Sequence, residues 1–214
     1  MIDKLQYISQ NPPVGTHLDA IKEVLDAGGK WIQLRIKDQP EADILGFAIK
    51  ANALCVGYGA RLIVNDHPHI AVQAGAYGVH LGLRDMPISE ARVIVGDKVI
   101  IGGTANTFEH IVQRVADGAD YIGLGPYRFT STKQNLSPLL GLKGYESIMK
   151  QVSQAKIRIP VIAIGGIEQP DVSLLMKTGI YGVAVSGALT NRRDLVEQVS
   201  AIQEELQILH PINL

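Results

Sequence analysis

Short apolar runs alternate with longer amphipathic stretches from one end of this chain to the other, which argues for βαβ units wound around a parallel sheet. The apolar runs are Leu5–Ile8, Trp31–Ile36, Arg61–Asn65, Tyr77–Leu81, Val99–Gly102, Tyr121–Leu124, Val161–Ile164 and Gly182–Val185. Between them lie helical patterns at Leu18–Ala27, Ala42–Gly57, Ser89–Val95, Phe108–Ala116, Tyr145–Gln154, Gln169–Lys177 and Asp194–Leu209. In the first of these, Leu18, Ile21, Val24 and Leu25 recur at helical spacing, with Asp19, Lys22, Glu23 and Asp26 opposite. Glycines at 28, 75, 118 and 179 follow helical stretches, where a left-handed residue closes the last turn. Eight strands in 214 residues predict a single-domain (β/α)8 TIM barrel over 1–214, with a doubly wound open sheet as the alternative.

Composition narrows the function classes. A net charge of -1 with 19% charged residues offers no basic excess for a nucleic-acid backbone. No apolar run is long enough for a signal peptide or a membrane span, so a cytoplasmic protein without membrane partners is expected. Cys55, the single cysteine, sits in an apolar helical stretch and reads as a buried, inert thiol. The expected partners are small molecules; the sequence leaves homo-oligomerisation open.

In a barrel, the C-terminal ends of the strands converge on one mouth. The segment Trp31–Lys37 reads as a strand with Ile32, Leu34 and Ile36 on one face and Gln33, Arg35 and Lys37 on the other. An edge strand turned to water is the plain alternative. An amide, a guanidinium and an ammonium in one row otherwise need an anion to meet them. Asn65-Asp66 follows the third strand, His80 to Asp85 the fourth, and Thr104 lies after the fifth. Thr130, Ser131, Thr132 and Lys133 follow the sixth, in an irregular piece over 126–143 that is expected to close over ligands. Gly165-Gly166 and Ser186-Gly187 follow the last two.

Two carboxylates, Asp66 and Asp85, beside Arg35, Lys37 and Lys133 suit a bound Mg²⁺ and a diphosphate. Taken singly, Asp66 also reads as a turn or N-cap residue ahead of the third helix, and Asp85 as a loop residue ahead of Pro87. The late glycines suit a phosphate monoester held by backbone N–H groups, or two tight turns without a ligand. His80 reads as a neutral side chain hydrogen-bonded inside the barrel, with a general base as the alternative. His67-Pro68-His69 reads as a solvated loop without metal spacing.

These residues resemble the thiamine-phosphate synthase (thiamine-phosphate pyrophosphorylase) family over almost the whole chain. The matches are Gln-Leu-Arg-Ile-Lys at 33–37, Val-Asn-Asp at 64–66, Gly-Val-His-Leu-Gly at 78–82 with Asp85, Tyr-Ile-Gly-Leu-Gly-Pro at 121–126, Thr-Ser-Thr-Lys at 130–133 and Ala-Ile-Gly-Gly-Ile at 163–167. The resemblance implies a (β/α)8 barrel that joins a hydroxymethylpyrimidine diphosphate to a thiazole phosphate. It implies that Gln33, Leu34, Arg35, Ile36, Lys37, Asn65, Thr104 and Lys133 serve the pyrimidine diphosphate, with Arg35, Lys37 and Lys133 catalytic on the leaving group. Thr130, Ser131, Thr132, Gly166, Ser186 and Gly187 would hold the thiazole phosphate, and Asp66 and Asp85 the Mg²⁺. The chain departs from the family pattern at Leu83-Arg84, at Thr104 where a Ser is usual, and at Gly187. The related thiazole tautomerases resemble it less, because some carry a His where this chain has Pro126 and they lack much of the diphosphate machinery. A barrel that binds phosphate metabolites without turnover is the other alternative.

Overall fold

The first helix shows how the sequence starts and stops its elements. Thr16 accepts the Asp19 backbone N–H, and the Asp19 carboxylate accepts the Thr16 N–H at 2.8 Å, a reciprocal capping box. Helix α1 (His17–Asp26) then buries Ala20, Ile21, Val24 and Leu25, and Gly28 at φ 97 turns the chain into the next strand. The structure is a computed structural model and describes residues 2–129, 138–190 and 192–208. The same strand-then-helix step repeats: β1 (Leu5–Ile8) precedes α1, and β2 (Trp31–Leu34), α2 (Glu41–Gly57), β3 (Arg61–Asn65), α3 (Pro68–Gln73), β4 (Gly78–Leu81) and α4 (Ile88–Val95) follow. The second half is β5 (Ile100–Ala105), α5 (Phe108–Ala116), β6 (Tyr121–Leu124), α6 (Gly141–Gln154), β7 (Val161–Ile164), α7 (Val172–Met176), β8 (Gly182–Val185) and α8 (Leu195–Ile208).

The strands pair in chain order, all parallel, and β1 closes on β8 through Leu5↔Val183, Gln6↔Ala184 and Tyr7↔Val185. The closed barrel excludes the open sheet. Several boundaries differ from the sequence reading. Strand β2 stops at Leu34 instead of Ile36, because the Ser9 hydroxyl takes the Arg35 N–H at 3.1 Å where a ladder partner would stand. Strand β5 runs on to Ala105, since Thr104 and Ala105 still pair with Gly123 and Leu124. The stretch 67–69 is a helix start and not a solvated loop: His67 is the N-cap of α3, and the buried Pro68 takes the first turn, where a missing N–H costs nothing. The helix expected over 169–177 opens instead as a 3₁₀ turn, Gln169–Asp171, ahead of α7.

Strand alternation divides the core into two layers. Ile32, Leu34, Leu62, Val64, Val79, Ile101, Ile122 and Val183 pack outward against the helices. Trp31, Ile63, Tyr121, Ile162 and Ala184 fill the barrel interior, where Trp31 meets the Tyr121 ring edge-on at 5.1 Å. Glycine makes this filling fit: a Cβ on Gly102 would lie 2.1 Å from Tyr121 Cζ, and one on Gly123 2.9 Å from His80 Cε1. Above this apolar layer, toward the strand C-termini, the inward residues become polar: Gln6, Gln33, Asn65, His80 and Thr104, all buried. That change of layer positions the site.

Candidate active site

A cavity of about 710 Å³ opens at the C-terminal mouth of the barrel. Its lining includes Gln33, Arg35, Lys37, Asn65, Asp66, Asp85, Thr104, Gly166, Ser186 and Gly187, so the described polar and glycine positions expected at the strand ends do converge. Leu34 and Ile36 stand apart. Their side chains are buried in the outer core and do not line this cavity, which corrects any side-chain role for them toward the diphosphate. Thr130, Ser131, Thr132 and Lys133 lie outside the described residues.

On one side of the cavity the ends of β2, β3 and β4 bring together the charges. Asp66 adopts φ 67, a left-handed conformation that turns the chain sharply off β3 and leaves its carboxylate in an ion pair with the Lys37 ammonium. It does not cap α3, a role taken by His67. Asp85 is held by the Gly82 N–H at 2.6 Å, across the turn Gly82-Leu83-Arg84-Asp85. Burial works to raise Asp66, but hydrogen bonds from Asp85 and Lys37 and the Arg35 charge outweigh it and hold this carboxyl below the usual range. Asp85 is raised by burial and then by the neighbouring Asp66 carboxylate. The Arg35 guanidinium is lowered by burial, against the pull of Asp66, Asp38 and Asp85.

Two carboxylates side by side repel unless a proton or a cation lies between them. Among the described residues no group of three His, Cys, Asp or Glu side chains comes together, so a closed all-protein cage is not on offer. A carboxylate pair open to a cavity matches Mg²⁺, which keeps waters and substrate phosphate oxygens in its shell. The residues present fit the metal.

Across the floor runs a line of buried polar groups. Gln33 Nε2 donates to Gln6 Oε1 at 3.1 Å, His80 Nδ1 lies 3.1 Å from the Tyr121 hydroxyl, and His80 Nε2 lies 3.0 Å from Thr104 Oγ1. His80 is therefore a hydrogen-bonded histidine inside the barrel, as its place in the strand suggested. On the far side, Gly166 at φ 70 leaves room for Arg128: a Cβ there would meet Arg128 Cγ at 2.4 Å. Arg128 pairs with Asp171 at 2.5 Å and ties the end of β6 to the turn after β7. The Ser186 hydroxyl donates to Gln10 Oε1 at 3.2 Å.

Several of these residues escaped the sequence reading. Gln6 shares the inward face of β1 with Ile8, and Ser9-Gln10 follows directly; the same alternation rule that found Gln33 finds them. Ser9 carries a specific task. Its hydroxyl accepts the Arg35 N–H and bonds His17 Nδ1 at 2.8 Å, and burial together with the Arg35 charge lowers His17, favouring the neutral ring that can accept the Ser9 proton. Arg114 had no sequence signal, since an arginine on an amphipathic helix reads as solvent-facing. It is buried, and its guanidinium donates to Thr104 O at 3.2 Å and Gly82 O at 2.8 Å, clamping the two strand ends that carry Thr104 and Asp85.

With this geometry in view, the comparisons with known proteins are decisive. The thiamine monophosphate synthase family profile matches residues 6–189. The chain belongs to that family. It is 47% identical over 206 residues to a thiamine-phosphate synthase of Flavobacterium psychrophilum, covering 96% of this chain and 100% of that protein. It is 49% identical to the one from Flavobacterium johnsoniae, covering 96% and 97%. Among solved structures, a thiamine phosphate pyrophosphorylase from Pyrococcus furiosus superposes with a TM-score of 0.84 at 29% identity, covering 96% of each chain. A 3-hexulose-6-phosphate synthase at 16% identity and TM-score 0.69 shares the barrel fold alone. Family membership makes this chain an enzyme of thiamine biosynthesis, a transferase. Among the described residues no helix is long and apolar enough to cross a membrane.

Proposed function

We propose that this enzyme joins 4-amino-2-methyl-5-hydroxymethylpyrimidine diphosphate to hydroxyethylthiazole phosphate or its carboxylated form, releasing diphosphate, together with carbon dioxide when the carboxylated form is used, and giving thiamine phosphate. The carrying observation is the Asp66 and Asp85 pair set beside Lys37 and Arg35 at one rim of the cavity. Cations and a metal-competent carboxylate pair together suit a leaving group with several negative charges.

Arg35 and Lys37, joined by Lys133, bind the diphosphate oxygens. The bond from the pyrimidine methylene carbon to oxygen breaks first, its electron pair goes to the diphosphate, and the electron-rich aminopyrimidine stabilises the methylene cation. Bound to Asp66 and Asp85, Mg²⁺ would supply further positive charge to the leaving diphosphate. Gln33, Asn65 and Thr104 line the floor where the ring lies. Gly166, Ser186 and Gly187, with Thr130, Ser131 and Thr132, hold the thiazole phosphate so that the thiazole nitrogen meets the cation and the new carbon–nitrogen bond forms. Positioning replaces a protein nucleophile. A coupled assay for diphosphate release with both substrates, with and without Mg²⁺, tests this: release requires both substrates and the metal. Absence of both diphosphate and thiamine phosphate would refute it and turn attention to a tautomerase or a binding barrel.

A further inference from the structure

Just beyond the last rung of the β4–β5 ladder stands a buried guanidinium. The two strands pair as far as Leu81↔Gly103 and then part, β5 staying with β6 while Gly82 leads into the turn toward Asp85. Arg114 bridges the gap, with Nε donating to Thr104 O at 3.2 Å and Nη2 donating to Gly82 O at 2.8 Å. We propose that Arg114 is a positioning residue for the metal: by pinning the Gly82 turn to β5, it holds the Asp85 carboxylate where it shares a cation with Asp66. That role rests on the reading of Asp66 and Asp85 as Mg²⁺ ligands.

Taking a guanidinium out of water is costly, and an apolar side chain would cover β5 without that cost; yet the chain buries Arg114 and leaves Gly103 bare beneath it. A Cβ on Gly103 would lie 3.1 Å from Arg114 Cδ and 3.2 Å from Cγ, so glycine is what admits the stem. One of the carbonyls it reaches belongs to the residue whose N–H holds Asp85. The Gly82 N–H donates to Asp85 Oδ2 at 2.6 Å, and a Cβ on Gly82 would lie 2.7 Å from the same oxygen. The Asp85 N–H returns to Gly82 O at 3.4 Å, closing the turn on the carbonyl that the guanidinium fixes. Releasing that carbonyl frees the turn to shift with its carboxylate, while Asp66 stays set by its own left-handed backbone and by Lys37. A metal held by one or two carboxylates loses affinity when the groups that orient them are removed. Arg92 supplies the contrast. It too donates to carbonyls, Gly96 O at 3.0 Å and Val99 O at 2.8 Å, and it pairs with Asp120 at 2.6 Å, but at the N-terminal end of β5, away from the mouth.

The test reads metal affinity in the substrate-free protein, with Mn²⁺ as a paramagnetic probe in place of Mg²⁺ and Asp85→Asn marking the signal that belongs to this site. By electron paramagnetic resonance, Arg114→Met should weaken Mn²⁺ binding about 10-fold, the lower end of what loss of an orienting partner costs. Arg92→Met should lower the thermal midpoint and leave Mn²⁺ affinity at the wild-type value; an equal loss of affinity there would make the effect one of stability and overturn the proposal. Arg114→Lys keeps the charge and reaches one carbonyl, so its affinity should fall between those of Arg114→Met and the wild type. Should Arg114→Met fail to fold, Arg114→Lys decides alone, and in either case wild-type affinity in Arg114→Lys overturns the positioning role. Unchanged affinity in Arg114→Met overturns it too, and leaves the metal site standing. A wild-type chain that binds no Mn²⁺ refutes the ligand reading of Asp66 and Asp85, and the proposal with it.

Discussion

Gly102→Ala is the sharpest test of how the barrel interior is filled. A methyl group there would lie 2.1 Å from Tyr121 Cζ, 2.4 Å from Cε1 and 2.5 Å from the phenolic oxygen, all far inside van der Waals contact. The ring has nowhere to retreat, being fully buried, set edge-on against Trp31 at 5.1 Å and hydrogen-bonded to His80. Overpacking of this kind costs about 1–3 kcal/mol through off-rotamer side chains and backbone shifts. For a chain of this length that is a fall in thermal midpoint of roughly 2–12 °C. Differential scanning calorimetry measures it, with Gly46→Ala as the control. Gly46 lies in α2 with open space around its Cβ, so alanine there should stabilise by up to about 1 kcal/mol. A midpoint for Gly102→Ala equal to or above that of the wild type would refute the packing argument.

Lys133→Ala should lower kcat by roughly 100-fold or more while changing thiazole phosphate binding far less, because its charge is asked to act on the leaving group; steady-state kinetics with an unchanged kcat would remove that role. Asp19 is held below the ordinary carboxylate range by the Thr16 hydroxyl and N–H, so its contribution is present above its unfolded value and is lost as pH falls through its folded one. Urea denaturation of Asp19→Asn should accordingly show a weaker loss of stability on acidification than the wild type, and parallel curves would contradict the capping box. Burial pushes the Cys55 thiol up to about 12, so alkylation followed by mass spectrometry should label it only after unfolding.

Much of the fold was legible in the sequence because strand and helix periodicity are local properties. Leu5–Ile8, Tyr121–Leu124 and Val161–Ile164 have the expected bounds, since apolar runs bounded by turn residues mark strands whatever they pair with. Strand β2 came out two residues shorter because its end is set by a contact from another element, the Ser9 hydroxyl on the Arg35 N–H. The two described cations beside the Asp66 and Asp85 pair, Arg35 and Lys37, were equally readable: charges at strand ends have no reason to be there in a plain core.

By itself, then, the sequence determined the alternation that makes a parallel barrel, the polar strand ends that make a mouth, and the family those residues belong to. Only the tertiary structure decided which side chains meet across the barrel. The register of β1 on β2 places Gln6 near Gln33, and the register of β4, β5 and β6 sets His80 between Tyr121 and Thr104. Arg114 behind Gly103 depends likewise on α5 packing over a strand that offers no side chain there. The physical reason is one of range: periodicity reports where each residue points along its own strand, while the partner it meets is fixed by the register and closure of the barrel, which no single segment encodes.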